Sequence, residues 1–255
     1  MSLRAASNNG VTMGFQLPTC ELFGIGVSIA GIDETLASIE AAIREGCPHI
    51  VVTADSYGLM VAEQDRELTA IYKRAAIVTA DSSGVVWALR KKGAKVTRVS
   101  GVDLVDRICA LSANKGYRIV FVGSAPGVAA LAAEKLTARH PGCQIVWTRD
   151  GYFSETEYVE VAQEIARHAP DVLFVAMGIP RQEKFIASTL EVTGAKVAMG
   201  VGGSFDVYSG NVKRAPRFVQ KMDLEWLWRL MLNPKKFYKV AKLPKFALMV
   251  LRGKA

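Results

Sequence analysis

The chain has 255 residues, 50% of them hydrophobic and 22% charged, a globular composition that excludes a disordered or fibrous protein. A chain this long buries a sizeable core, as one large domain or as a domain with an appendage. The formal net charge of +8 is carried unevenly: from Lys213 onward there are 12 basic residues and only two acidic ones, Asp223 and Glu225. A near-neutral body therefore precedes a basic tail, and such a tail expects an anionic surface: phospholipid head groups, nucleic acid or a diphosphate ligand.

Met1 to Gly14 shows neither the basic start nor the apolar stretch of a signal peptide, so a cytoplasmic location is expected. From Glu21 short β-rich runs alternate with helical patterns. Leu22 to Ile29 is β-like, with Gly24 and Gly26 inside it and Gly31 ending it. Asp33 reads as the N-cap of a helix reaching Arg44, with Leu36, Ile39, Ala42 and Ile43 on its apolar face. His49 to Thr53 is a buried strand, followed by helices from Ser56 to Ala62 and from Arg66 to Arg74. A strand from Ala76 to Thr79 and a helix from Ser83 to Lys91 come next.

The second half alternates more cleanly. Helix Asp103 to Asn114 precedes strand Arg118 to Val122, and helix Gly127 to Arg139 precedes strand Gln144 to Thr148. Helix Glu155 to His168 precedes strand Val172 to Ala176, and helix Gln182 to Leu190 precedes strand Lys196 to Gly200. Val- and Ile-rich strands that each lead into a helix describe an α/β protein, with a mostly parallel, Rossmann-like sheet covered on both faces. No repeat of 20–50 residues is expected. After Tyr208 the alternation stops. Pro216 to Leu232 reads as one helix broken by Asn233-Pro234, and Lys235 starts another, forming a C-terminal helical appendage. Cys20, Cys47, Cys109 and Cys143 form no CxxC pair, so they read as reduced and mostly buried, not as a zinc site or disulfide frame.

In an open parallel sheet, ligands bind beyond the carboxyl ends of the strands. The segments there are Thr53–Ser56, Thr79–Gly84, Gly123–Gly127, Asp150–Phe153, Gly178–Glu183 and Gly200–Asp206. They are rich in small and polar residues and several open helices, which makes them ready anion sites and points to a phosphate-bearing substrate. Each strand-end Asp also has a plainer reading as an N-cap, and each strand-end Gly as turn geometry. No complete GxGxxG, GxxxxGK[ST] or GxSxG occurs, and His49, His140 and His168 form no ligand cluster.

These rim blocks, in their order, resemble the bacterial WecG/TagA/CpsF glycosyltransferases from about Glu21 to Pro244. The resemblance rests on Thr53, Asp81 to Gly84, Arg98-x-x-Gly101-x-Asp103-Leu104, Gly123-x-x-Pro126-Gly127 and Asp150-Gly151-Tyr152-Phe153. It continues through Gly178-x-Pro180-Arg181-Gln182-Glu183-Lys184, Gly200 to Asp206, Lys213-Arg214-Ala215-Pro216-Arg217 and Leu224-Glu225-Trp226-Leu227-x-Arg229-Leu230. Two positions depart from the family pattern: Ser82 stands where a Gly is usual, and Thr53-Ala54-Asp55-Ser56-Tyr57 replaces a Thr-x-Asn-x-Glu-like run.

The resemblance implies an inverting transfer of a sugar, of N-acetylmannosamine type, from a UDP-sugar to a polyprenyl-diphosphate-linked acceptor. It implies Asp81 as general base, with Asp103 and Asp55 in reserve, and Thr53 and Gln182 beside the reacting groups. No Asp-x-Asp motif is present, so no metal and no other cofactor is expected. Cations would neutralise the leaving diphosphate, with Arg98, Arg181, Arg214 and Arg217 as candidates. Asp103 and the glycines Gly123, Gly127, Gly202 and Gly203 complete the expected substrate contacts.

The expected organisation is a flexible extension over 1–20, a glycosyltransferase domain over 21–212, and a basic amphipathic appendage over 213–255. That appendage would lie on the inner face of the cell membrane through Trp226, Trp228, Lys235, Lys236, Phe237, Lys239, Lys242 and Phe246. Alternatives are a GDP-hexose or uronic-acid donor, a sugar-nucleotide oxidoreductase, and a non-enzymatic nucleic-acid or lipid binder acting through the tail. The Phe and Leu interleaved with the tail lysines favour lipid over nucleic acid, and self-association in solution is expected.

Overall fold

The computed structural model describes residues 16–216, 219, 228, 231 and 241–255. The chain opens with a small antiparallel hairpin, β1 (Thr19–Leu22) and β2 (Ile25–Ser28), joined at Phe23-Gly24, both with positive φ. The continuous β-like run expected over 22–29 is thus two strands outside the main sheet, because this turn reverses the chain. The hairpin also places Thr19 and Cys20 within the folded body instead of in an N-terminal extension; the rest of that expected extension, up to residue 15, lies outside the described residues.

Next come α1 (Ile32–Glu45), β3 (His49–Ala54), α2 (Ser56–Ala62), α3 (Arg66–Arg74), β4 (Ile77–Ala80), α4 (Ser83–Lys91) and α5 (Gly101–Lys115). They are followed by β5 (Arg118–Gly123), α6 (Val128–Arg139), β6 (Gln144–Arg149), α7 (Tyr158–Arg167), β7 (Val172–Ala176), α8 (Arg181–Thr193), β8 (Val197–Gly200) and α9 (Ser204–Ser209). A last helix, α10, spans Leu243–Leu251. The N-cap of α1 is Gly31, not Asp33, since the Glu34 carboxylate reaches back to the Gly31 N–H at 2.6 Å and starts the helix two residues earlier. The short α9 was not expected from the sequence, and the helix expected over Pro216–Leu232 falls almost entirely outside the described residues.

Strands β3 to β8 form one parallel sheet in the order β4-β3-β8-β7-β5-β6. Side chains alternate across a strand, and here that alternation divides one apolar sequence between two cores. Val120 and Val122 of β5 and Leu173 and Val175 of β7 face one cluster, with residues of α2, α3, α4, α7, α8 and α10. Ile119, Phe121, Val172 and Phe174 face the other, with α1, α5, α6 and α9. Burial on both faces is why these strands read as continuous Val/Ile runs. On the second face Phe121 stacks on Phe205 of α9 with ring centroids 4.4 Å apart, which holds α9 against β5.

The helix α10 packs on α2 and α4. Its Phe246 is 2% exposed and lies against Phe23 of the hairpin turn, with centroids 5.6 Å apart. Phe246 was expected to contact the membrane; its ring is instead inside the first core and anchors the helix to the body. All four cysteines are free: Cys109 and Cys143 are buried, Cys20 is half-buried and Cys47 is exposed.

Candidate active site

The sheet order places β3 and β8 side by side, and the chain leaves them in opposite directions. After β3 it enters α2 on one face, and after β8 it enters α9 on the other. Loops that diverge from neighbouring parallel strands open a crevice at the carboxyl end of the sheet, where open α/β proteins bind ligands. The cleft found there is lined by Thr53, Asp55, Asp81, Gly101, Val102, Gly178, Ile179, Gln182 and Val201 to Ser204.

Thr53, the penultimate residue of β3, bridges the two strands. Its hydroxyl donates to the Gly200 carbonyl at 2.8 Å. Asp81 follows β4, and its Oδ1 accepts the N–H of Gly101 at 3.0 Å. Gly101 is the first residue of α5, so the carboxylate sits at the positive end of that helix's dipole. A Cβ on Gly101 would lie 3.3 Å from both Cγ2 and Oγ1 of Thr53, which shows how closely the start of α5 is set against β3.

Of the two reserve carboxylates, Asp55 lines the cleft with Asp81 and Asp103 does not. Asp55 is the N-cap of α2 and accepts the Gly58 N–H at 2.6 Å. Asp103, in the first turn of α5, takes the Ser100 hydroxyl at 2.6 Å and ion-pairs with Arg214 at 2.7 Å. That pair brings the start of the basic tail to the α5 end of the cleft. The Arg214 Nε is buried and makes no hydrogen bond among the described residues.

Gln182 is 2% exposed. Its Oε1 accepts the N–H groups of Gly178 after β7 and Gly202 after β8, each at 3.1 Å, and its Nε2 donates to Glu183 at 2.8 Å. The amide therefore ties together two of the loops that wall the cleft. A Cβ at Gly200 would meet Gln182 Nε2 at 2.6 Å, so a side chain there would displace it.

The remaining expected residues are spread more widely. Arg181 spends its guanidinium on the Gly151 carbonyl, at 2.8 Å, and on the Phe153 carbonyl, which pins the loop after β6. Gly123, the last residue of β5, and Gly127, in the loop before α6, do not line the cleft. Gly123 has φ +129°, and a Cβ there would fall 2.5 Å from the Ala176 backbone. Gly202 and Gly203 do line it, whereas Arg98 is half-buried between α4 and α5 and does not. Lys242 stands 5.2 Å over the Tyr57 ring, and the Trp228 indole N–H donates to the Lys213 carbonyl at 3.2 Å. Arg217, Trp226, Lys235, Lys236, Phe237 and Lys239 lie outside the described residues. Gly101, Ile179 and Ser204 line the cleft from blocks the sequence had marked but without a role assigned to them, and Val102 lines it without having been named.

Residues 20–255 match the family described as "Glycosyl transferase WecG/TagA/CpsF family". A Bacillus subtilis protein named N-acetylglucosaminyldiphosphoundecaprenol N-acetyl-beta-D-mannosaminyltransferase is 34% identical over 204 residues, which cover 80% of this chain and 79% of that protein. A Bacillus spizizenii protein with the same name is 37% identical over 203 residues, covering 79% and 78%.

Proposed function

The chain belongs to the WecG/TagA/CpsF family of glycosyltransferases, and from that premise we propose that it transfers an N-acetylmannosamine-type sugar from a UDP-sugar to a saccharide on polyprenyl diphosphate. The names of the two Bacillus relatives support the sugar and the lipid-linked acceptor. The observation that carries the reading is Asp81, a carboxylate that lines the switch-point cleft with Thr53 and accepts the Gly101 N–H at the start of α5.

In this reading the acceptor hydroxyl attacks the anomeric carbon and gives its proton to the Asp81 carboxylate. The bond from that carbon to the diphosphate oxygen breaks, and the electron pair leaves with UDP. A β-linked product from an α-linked nucleotide donor requires inversion, which a single displacement with one base supplies. A positioned base of this kind contributes about 10²–10⁴-fold. Arg214, paired with Asp103 in the first turn of α5, is the cation proposed to meet the departing diphosphate, with Arg217 as a second. Arg suits this task because its planar fork meets phosphate oxygens two at a time. Among the described residues no three His, Cys, Asp or Glu side chains gather as metal ligands.

The acceptor lipid places the reaction at the inner membrane face, where a basic tail is attracted at about 1 kcal/mol per cation near the surface. With Phe246 buried, the apolar contacts of α10 with lipid pass to its outward residues Leu248 and Leu251, 45% and 60% exposed beside Lys245 and Arg252. Among the described residues no helix is long and apolar enough to cross a membrane.

The test is transfer of label from a panel of UDP- and GDP-sugars to a short-chain polyprenyl-diphosphate N-acetylglucosamine, in EDTA, with Asp81→Asn alongside. Transfer from one UDP-hexosamine that survives EDTA and falls at least a hundredfold in Asp81→Asn is expected. Full activity in Asp81→Asn would remove the base assignment, and dependence on added divalent metal would remove metal independence.

A further inference from the structure

From Ser82 to Val102 the chain carries five basic residues, Arg90, Lys91, Lys92, Lys95 and Arg98, and no acidic one. This stretch belongs to the body of the molecule, well ahead of the basic tail. All but Arg98 are exposed, at the end of α4 and in the turn that follows it. The Arg90 guanidinium folds back on the Val96 carbonyl, at 3.3 Å from Nε and 3.0 Å from Nη2, and so fixes the turn that carries Lys92 and Lys95.

The tail returns to the same place. A Cβ on Gly84, in the first turn of α4, would lie 3.8 Å from the Phe246 ring of α10. Past the ends of the two helices, Lys92 Nζ donates to the Ala255 carbonyl at 2.6 Å. Thus α10 runs alongside α4 in the same direction, and its exposed Lys245, with Arg252 and Lys254 just beyond it, joins the four exposed cations of the body. Trp87, on α4, is 39% exposed. It stands three residues after Gly84 and four before Lys91, so these positions form one stripe along the helix beside α10. With Leu248 and Leu251 outward on α10, the two helices carry three large exposed apolar side chains among seven cations. The elements β1, β4 and α10 pack on α4, and the acid they contribute is Glu21 of β1. Glu34, in the groove it shares with Arg90 and Lys95, has its carboxylate on the Gly31 N–H.

Clustered cations repel one another in water, and clustered apolar side chains are poorly hydrated there. An anionic lipid surface answers both, because head-group phosphates draw the cations while Trp and Leu enter the boundary beneath them. We infer that α4 and α10 form one lipid-binding face, so that the body of the enzyme, and not the basic tail alone, docks on an anionic membrane. Nucleic acid would meet the cations but has no use for outward leucines. The inference rests on the reading that transfer takes place at the membrane surface, and it adds Trp87, Arg90, Lys91, Lys92 and Lys95 to that contact.

The test is flotation of the full chain with vesicles of phosphatidylglycerol and phosphatidylcholine at low salt. Lys91→Gln with Lys95→Gln is expected to lower the partition coefficient about 10- to 30-fold, the effect of removing two cations from the surface. Its melting midpoint should stay at the wild-type value, since both side chains are exposed. A second readout locates Trp87: vesicles with brominated acyl chains are expected to quench the emission that wild type has and Trp87→Phe lacks. Flotation of the lysine variant equal to wild type, or a Trp87 emission that bromine leaves untouched, would overturn the inference. If wild type does not float at all, the membrane reading falls and the inference with it. If wild type floats and only Leu248→Glu with Leu251→Glu is impaired, the membrane reading stands and the α4 face falls. A single-stranded oligonucleotide held by wild type and lost by the lysine variant, without flotation, would give the face to nucleic acid instead.

Discussion

Asp106, on α5, accepts from Arg139 at 2.9 Å and His140 at 3.1 Å, and so ties α5 to the end of α6. Burial pushes its carboxyl up, but the His140 and Arg139 partners outweigh that and hold it below the ordinary aspartate range. A carboxylate depressed by folding stabilises the native state above its unfolded value, and that contribution drains away as pH falls through the folded one. Because the group is partly solvated, Asp106→Asn is expected to cost only about 1 kcal/mol at neutral pH. Urea denaturation at neutral pH and at pH about 3 should show the gap between variant and wild type closing in acid. Gln182 predicts a larger effect. Gln182→Leu leaves the half-buried N–H groups of Gly178 and Gly202 without their acceptor, at about 1 kcal/mol each. The melting midpoint should fall and transfer activity should fall with it, because both loops wall the cleft.

Among the secondary-structure elements, α10 is where sequence pattern and structure part most clearly. Lysines mixed with Phe and Leu read as an interfacial helix, and the outward Leu248 and Leu251 keep that character. The inward Phe246 and Val250 instead join the core that holds α2 and α4, near the loops that carry Asp55 and Asp81. Phe246→Ala is therefore expected to destabilise by about 3–5 kcal/mol, as for other buried Phe residues. Hydrogen exchange should show protection lost first across 243–251 and then at the start of α4. A helix that served only the membrane would leave the stability of the body unchanged. Elsewhere the elements were well marked in the sequence: α3 and α4 begin and end where the pattern of apolar positions and caps predicts. The β1–β2 hairpin was not, because a short turn through Phe23-Gly24 carries no periodic signal.

At the scale of the whole molecule, the basic tail begins at the cleft, where Arg214 meets Asp103, and its last helix returns to the body beside Tyr57. The proposed binding to the inner membrane surface predicts flotation with anionic vesicles, weakening as salt screens the head groups. Leu248→Glu with Leu251→Glu should reduce flotation without lowering the melting midpoint, since both side chains are exposed. Flotation unaffected by the double variant would place the lipid contact elsewhere. The sequence by itself determined the α/β class, the order of strands and helices, and a polar rim, because caps and apolar periods act within a few residues of each other. Only the tertiary structure decided which rim residues meet. Thr53 reaches Gly200, 147 positions away, and Asp81 reaches Gly101, 20 positions away. A side chain's partners depend on which backbone groups folding brings within hydrogen-bond distance, and local sequence does not encode that.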